Sequence, residues 1–399
     1  AVWGPVLWVA RLPSLLALAG CLLALARAAQ HVTGRRSAAW LAAGLFALGY
    51  GYCGGFFDLA RVDALFMGLC AWGVERSCAR RHAAGLWLFA LACFAKQHAL
   101  FFLLAASLGA LLTSGRAAWP RVCGAWAALG CGVLGLCYAT DGWFWTYCVT
   151  VPARHGLAPR LLFSFMLVDL GVYLPVLCAL ALYAIWRQWR GSSMLTGDRN
   201  RSLLLPLLAA AAVLASALGR AHPGGDDNVR LPAYALVCVL AACGFDALWQ
   251  ASRGRLWLGA LLALQLAVLV QAPSLHWPSA RSDAYFARLR RELARCEVRA
   301  PGTRAVAMDH ALFTGRPFVH TLALSDLRMN HDALGEQATR AVLDALRGQG
   351  APAALAVSVS FPELSAIVAE RYQPCARLPA VRLPTGYGLG PTFVYTRRR

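Results

Sequence analysis

Lysine is all but missing from this chain: a single one, Lys96, stands against thirty-seven arginines. Acidic residues are sparse as well, nineteen in 399, so only 14% of the sequence is charged while 59% is hydrophobic. That balance excludes an ordinary soluble domain and describes a polytopic membrane protein. No C-x-x-C pair occurs, which leaves zinc ribbons and redox dithiols unsupported. Twelve of the fourteen cysteines lie in or beside apolar stretches, where Cys behaves as a small buried hydrophobe. There is no internal repeat and no low-complexity tract. No charged leader with a cleavage site is visible, and no Asp or Glu precedes Asp58. Because the first residue is Ala and the chain opens on an apolar segment, it is expected to be processed or to lack an N-terminal piece.

What is present is a series of apolar runs. Ten segments approach bilayer length, near 8–29, 38–55, 62–75, 83–96, 98–114, 119–138, 161–186, 203–220, 231–249 and 256–272. The net charge of +19 does not indicate nucleic-acid binding, because the arginines cluster in short loops between these runs. Alternate loops carrying Arg27, Arg35, Arg36, Arg76, Arg80, Arg81, Arg116, Arg121, Arg187, Arg190, Arg199, Arg201, Arg253 and Arg255 are assigned to the cytoplasm. The fold predicted is a mainly α polytopic membrane protein of about ten transmembrane helices over 1–272, with a small extracytoplasmic α/β domain over 273–399. In the latter, helices are expected over 283–295, 333–347 and 361–371, and strands over 304–308, 353–359 and 392–396. Cys296 and Cys375 stand apart there and would form a disulfide if that region lies outside the cytoplasm.

The unusual polar residues gather in the opposite loops. Lys96 lies in Cys93-Phe94-Ala95-Lys96-Gln97-His98, a polar hinge between two short apolar runs. A compact ammonium is not interchangeable with a guanidinium, and in a membrane it marks a functional site. The plainer reading is a helix-end lysine that snorkels to the interface. Asp58 and Arg61 are three apart and would pair on a helical turn. Asp63 begins the third run, either as a carboxylate favoured by the helix dipole or as an active-site base or metal ligand. His98 is a structural histidine or a ligand. His222, Asp226 and Asp227, bracketed by Arg220 and Arg230, form either a polar turn that caps the next helix or a divalent-cation site. Trp143, Phe144, Trp145 and Tyr147 read as an interfacial aromatic belt or a stacking wall. Asp169 is a carboxylate inside an apolar run that requires an arginine partner.

Four stretches carry a resemblance: Ala10-Arg11-Leu12-Pro13-Ser14-Leu15, Leu59-Ala60-Arg61-Val62-Asp63-Ala64-Leu65-Phe66, Phe94-Ala95-Lys96-Gln97, and Gly224-Gly225-Asp226-Asp227-Asn228 leading into Leu231-Pro232-Ala233-Tyr234. In order and membrane sidedness they resemble bacterial members of the GT-C superfamily of membrane glycosyltransferases. The branch is the RgtA/B/C/D-like one, related to protein O-mannosyltransferases and aminoarabinose transferases. The resemblance implies a multi-pass enzyme of the bacterial inner (cytoplasmic) membrane. It would move a sugar from a polyprenyl-phosphate donor to a glycan, lipid or protein acceptor of the cell envelope, with metal assistance in several branches. It implies a catalytic role for Asp63 and donor-phosphate binding by Lys96, Arg61, Arg220 and Arg230. It places Asp58, His98, His222, Asp226 and Asp227 in the donor pocket or at a divalent metal ion. The family carries an earlier span and an acidic outer loop, and this chain resembles the family from just after that loop. A flippase for lipid-linked sugars, and a non-catalytic truncated relative, are the alternatives.

Overall fold

A computed structural model of the chain describes residues 7–59, 61–154, 156–190, 201–222, 225–251, 254–270, 279–298, 306–307, 336–348, 351–357, 362–381 and 392–398. Pro223 and Gly224 of the late loop, Arg199 and Arg253 lie outside the described residues. The chain divides into two units. One comprises Arg11–Cys148 with Gly156–Pro273, and the other Ala1–Ala10, Val149–His155 and Ser274–Arg399.

The first unit is helical. Its helices are α1 (Leu7–Thr33), α2 (Arg36–Leu48), α3 (Val62–Cys78), α4 (His82–Ala95), α5 (Ala99–Ser114), α6 (Trp119–Ala139), α7 (Pro175–Trp189), α8 (Arg201–Ala221), α9 (Leu231–Ala251) and α10 (Arg255–Leu269). Between α6 and α7 the chain makes shorter turns, including a π-helical stretch Phe165–Val172. Among the described residues four helical stretches are long and apolar enough to cross a bilayer, Arg11–Thr33, Ala99–Ala139, Leu203–Ala221 and Asp227–Ala251, and the bent pair Trp143–Arg154 with Pro159–Val172 would make a fifth. This differs from the ten spans expected. Helices α2, α4 and α10 have 13, 14 and 15 residues, so each is only about 20–23 Å long against an apolar core of about 30 Å. Helices α5 and α6 are joined by a single 3-10 turn, Gly115–Ala118, and form one stretch of 41 residues.

Helix α9 is apolar on every side, and it is buried on every side, which is what all-round hydrophobicity demands. The hydroxyl of Ser216 on α8 accepts from the Ala233 amide at 3.0 Å, satisfying one of the donors that a helix start leaves open. Outward faces of other helices carry Leu16, Trp40, Leu134 and Leu256 at 66–88% exposure, a surface compatible with lipid. Small residues bring α3 and α4 together: a Cβ at Gly85 would stand 3.0 Å from the Gly73 carbonyl oxygen.

The second unit contains a four-stranded sheet of order β1-β2-β4-β3, with β1 (Val306–Ala307), β2 (Ala354–Ala356), β3 (Tyr372–Arg377) and β4 (Phe393–Arg397). β1 and β2 run parallel, and the other pairs antiparallel. Its helices are α11 (Ala280–Glu297), α12 (Glu336–Arg347) and α13 (Pro362–Arg371). The two-residue period of a strand explains the layers. Ala354 and Ala356 pack with Tyr285, Phe286, Leu289 and Leu293 of α11, while Leu355 packs with Leu343, Leu346, Leu364 and Ile367 of α12 and α13. A capping box between Ser279 and Ser282 starts α11. Cys296 and Cys375 form a disulfide that ties the end of α11 to β3. β3 was not expected, because Pro374 interrupts its pattern. The structure accommodates it on an edge strand at a register irregularity, where a missing amide is tolerated.

Candidate active site

Three buried ionic groupings lie at one end of the helical unit. In the first, Asp63 in the opening turn of α3 is 1% exposed. Its Oδ1 accepts from Lys96 Nζ at 2.6 Å and from Asn228 Nδ2 at 3.0 Å. Its Oδ2 lies 3.5 Å from Arg61 Nε and has no hydrogen-bond partner. Lys96 is the residue where α4 stops. Its extended backbone breaks the helix, and α5 begins again at Ala99. The break turns the ammonium back onto α3, over the Phe66 ring. Asn228 comes from the link between α8 and α9, so three hairpins far apart in sequence meet on one carboxylate.

In the second grouping, Asp169 is 1% exposed and pairs with Arg230 at 3.0 Å and Arg220 at 3.4 Å. These are the partners that sequence alone could not name. Arg230 also pairs with Asp227 at 2.9 Å and donates to the Tyr52 carbonyl at 2.7 Å. The Tyr52 hydroxyl donates to the Asp169 carbonyl at 2.8 Å, closing the loop of contacts. Gly54, at φ +63°, lets the 49–58 segment approach closely: a Cβ there would lie 2.8 Å from Asp227 Cβ. The third grouping is the Arg11–Asp58 pair at 3.0 Å, with side chains 2% and 3% exposed. Tyr50 donates to the other Asp58 oxygen at 2.7 Å.

Asp58 therefore does not pair with Arg61 as its spacing predicted. It lies in a run of turns rather than on a helix, so the three-residue rule does not apply, and Arg61 turns to Asp63 instead. His98, in the link between α4 and α5, packs with Nε2 against Gly219, and its buried Nδ1 has no hydrogen-bond partner. Burial, then the charges of Lys96 and His222, push its imidazole down to about 4, with Asp63 opposing. The imidazole is thus neutral at pH 7. Asp226 accepts from the Asp227 amide at 2.8 Å, as an N-cap does. The expected metal ligands do not gather: among the described residues no three His, Cys, Asp or Glu side chains form a ligand group. Asp58 and Asp227 already have arginine partners. Trp143 and Tyr147 stack at 5.5 Å and are 51% and 37% exposed, as an aromatic belt would be.

Sequence reasoning missed Glu75. It is fully buried near the far end of α3; its Oε1 accepts from Arg27 Nε at 3.1 Å and meets His31 Nε2 at 3.0 Å, while Arg76 Nε lies 3.2 Å from Oε2, which has no hydrogen-bond partner. Arg27 and Arg76 both lie over the Trp72 ring. Near the same end, Asp246 pairs with Arg35 at 3.4 Å and accepts from Ser37 at 3.1 Å, beside a cavity of about 360 Å³ that Arg187 and Gln250 also line. From the sequence, the arginines here read as topology alone. A carboxylate among them was the available signal, as was Arg11 inside an otherwise apolar run.

No protein-family model, no characterised protein and no solved structure matches this chain.

Proposed function

We propose that the chain is an integral-membrane glycosyltransferase of the GT-C type in the bacterial inner membrane, with about ten membrane-embedded helices and its α/β unit outside the cytoplasm. It takes a polyprenyl-phosphate-linked sugar and passes the sugar to an acceptor hydroxyl of the cell envelope. The observation that carries this reading is the Asp63–Lys96 pair at 2.6 Å, with Asp63 Oδ2 left without a hydrogen bond.

The geometry suits a displacement at the anomeric carbon. The acceptor oxygen forms a bond to that carbon as the bond to the lipid phosphate breaks. The acceptor proton passes to Asp63 Oδ2, the oxygen that neither Lys96 nor Asn228 occupies. When that carboxylate is neutralised, Lys96 loses its counter-charge, and at the same moment the departing phosphate gains charge. The ammonium then stabilises the leaving group in a low-dielectric setting. Arg61 supplies a second positive charge at 3.5 Å from the same carboxylate. Among the described residues no three of the expected ligands form a metal-binding group, and the step is carried by the side chains alone.

A second reading is donor binding without transfer. It is favoured by the burial of Asp63, which is 1% exposed and already holds Lys96 and Asn228, leaving an acceptor hydroxyl little room to reach it. One experiment separates the two. Full-length protein in lipid nanodiscs is given a radiolabelled polyprenyl-phosphate sugar and an envelope extract, and both bound donor and transferred label are counted. The transferase reading expects turnover that falls about 100-fold or more in Lys96→Ala. Undiminished turnover in that variant defeats it, and retained donor with no transfer by the parent protein selects the second reading.

A further inference from the structure

The α/β unit presents a cationic face that the sugar-transfer reading does not use. Arg281, Arg288, Arg291 and Arg295 follow one another on α11 at spacings of seven, three and four, which places them on one side of the helix. All four are exposed, while Tyr285, Phe286, Leu289 and Leu293 turn the adjoining side into the core. The strip between the arginines holds only small or apolar residues, Ala284 and Val298, the latter 88% exposed. β3 extends the patch: Arg288 donates to the Arg377 carbonyl at 3.3 Å, and the Arg377 guanidinium lies over the exposed edge of Phe393. One acid borders it, Glu292, which pairs with Arg295 at 3.6 Å. Asp283 and Glu297 fall on the far flank of the helix.

We infer that this face of α11 docks onto the surface of a bilayer containing anionic phospholipid. Charge complementarity selects the partner, since a row of guanidinium groups matches lipid phosphates, and Arg binds phosphate through paired N–H donors. Chain continuity selects the place. α10, whose Leu256 and Trp257 are 88% and 78% exposed, is the last apolar helix and ends at Leu269. Only residues 270–279 separate it from the start of α11, and ten residues reach about 35 Å at most. Val298 and Phe393 provide apolar side chains that enter the headgroup layer beside the arginines.

The inference is independent of whether sugar is transferred, and its test uses no substrate. Hydrogen–deuterium exchange of the 279–298 segment is measured in the full chain, in nanodiscs of phosphatidylcholine alone and with about 30% phosphatidylglycerol. Exchange is expected to slow about tenfold in the anionic discs and to recover in about 0.5 M salt, which screens surface charge. The variant with R281Q, R288Q, R291Q and R295Q together should exchange equally in both discs, with Cys296 and Cys375 still unreactive to thiol reagent as evidence of an intact unit. Equal exchange of the parent chain in the two lipid compositions overturns the inference. So does a lipid effect that survives loss of all four arginines.

Discussion

Helix α3 carries a buried carboxylate near each end, and the two are held differently. Asp63 is gripped by Lys96 and Asn228, which arrive from breaks between helices, and the Lys96 side chain is 17% exposed. Glu75 is gripped by Arg27 and His31 on neighbouring α1 and by adjacent Arg76, with Arg27 and His31 side chains 45% and 35% exposed. The carboxylates are twelve positions apart, about 18 Å along the helix. At the Glu75 end the carboxylate is a clasp between two helices, and water still reaches its cations. At the Asp63 end, loops converge and the ammonium of Lys96 is shielded, although Arg61 is 42% exposed, and at both ends one carboxylate oxygen has no hydrogen-bond partner. The first arrangement suits cohesion and the second suits chemistry.

Substitutions can break or sharpen this contrast. The largest effect belongs to the end where the ions are driest. Arg11→Ala would strand Asp58 with Tyr50 as its remaining hydrogen-bond donor, at a cost of about 3–5 kcal/mol. Thermal unfolding of detergent-solubilised protein reads this loss, and adding Asp58→Leu to Arg11→Met should recover most of it. Glu75→Gln should cost less, about 1–2 kcal/mol, because solvent already screens its partners. Sugar transfer by that variant should stay within about twofold of the parent, since its side chain never meets the proposed donor site. A larger loss of turnover would erase the division of labour between the two ends.

A pH titration gives a third and smaller effect. The His98 imidazole is held neutral by burial and nearby cations, so the unfolded chain binds a proton more readily than the folded one. This contribution is fully present above the ordinary histidine value of 6.5 and is lost as pH falls from there toward about 4. Unfolding scans between those limits should show the decline, and His98→Gln should flatten it. The smallest effect is at the other end. Arg80 closes α3 at φ +64°, a left-handed conformation in which glycine is at ease and a side chain is not. Arg80→Gly is expected to stabilise by about 0.5–1 kcal/mol, detectable as a modest rise in Tm.

Much of the frame was legible before any coordinates. Apart from β3, the described α/β elements at the C-terminus fall where periodicity put them, and the two isolated cysteines are joined. Lys96 stood out because it breaks a strong arginine habit, and the structure places it on Asp63. What could not be read was partnership. Asp58 had Arg61 three residues away, yet it found Arg11 forty-seven residues back, because Asp58 lies in a run of turns rather than on a helix. Nothing in the sequence pointed Asn228 at Asp63, and its amide spans 165 residues to reach that carboxylate. Glu75 was hidden by its company. Arginines beside membrane segments are read as sidedness, and that reading gives no reason to ask which acid they hold. Helix length is hard to read for a related cause: an apolar run shows what can be buried, but not how many of its residues coil continuously.

Helix α9 also touches both ends. Its first turn follows Arg230 and Asn228, and its last turns carry Asp246. Near its middle, Gly244 lies so close to α7 that a Cβ there would run into the Leu180 carbonyl. Backbone thus rests on backbone at one point, like a beam on its bearing. A single methyl group inserted there would push on Asp246 two residues along and tilt the beam, displacing the charges around Arg230 and Asn228, which are more than a dozen residues from the change.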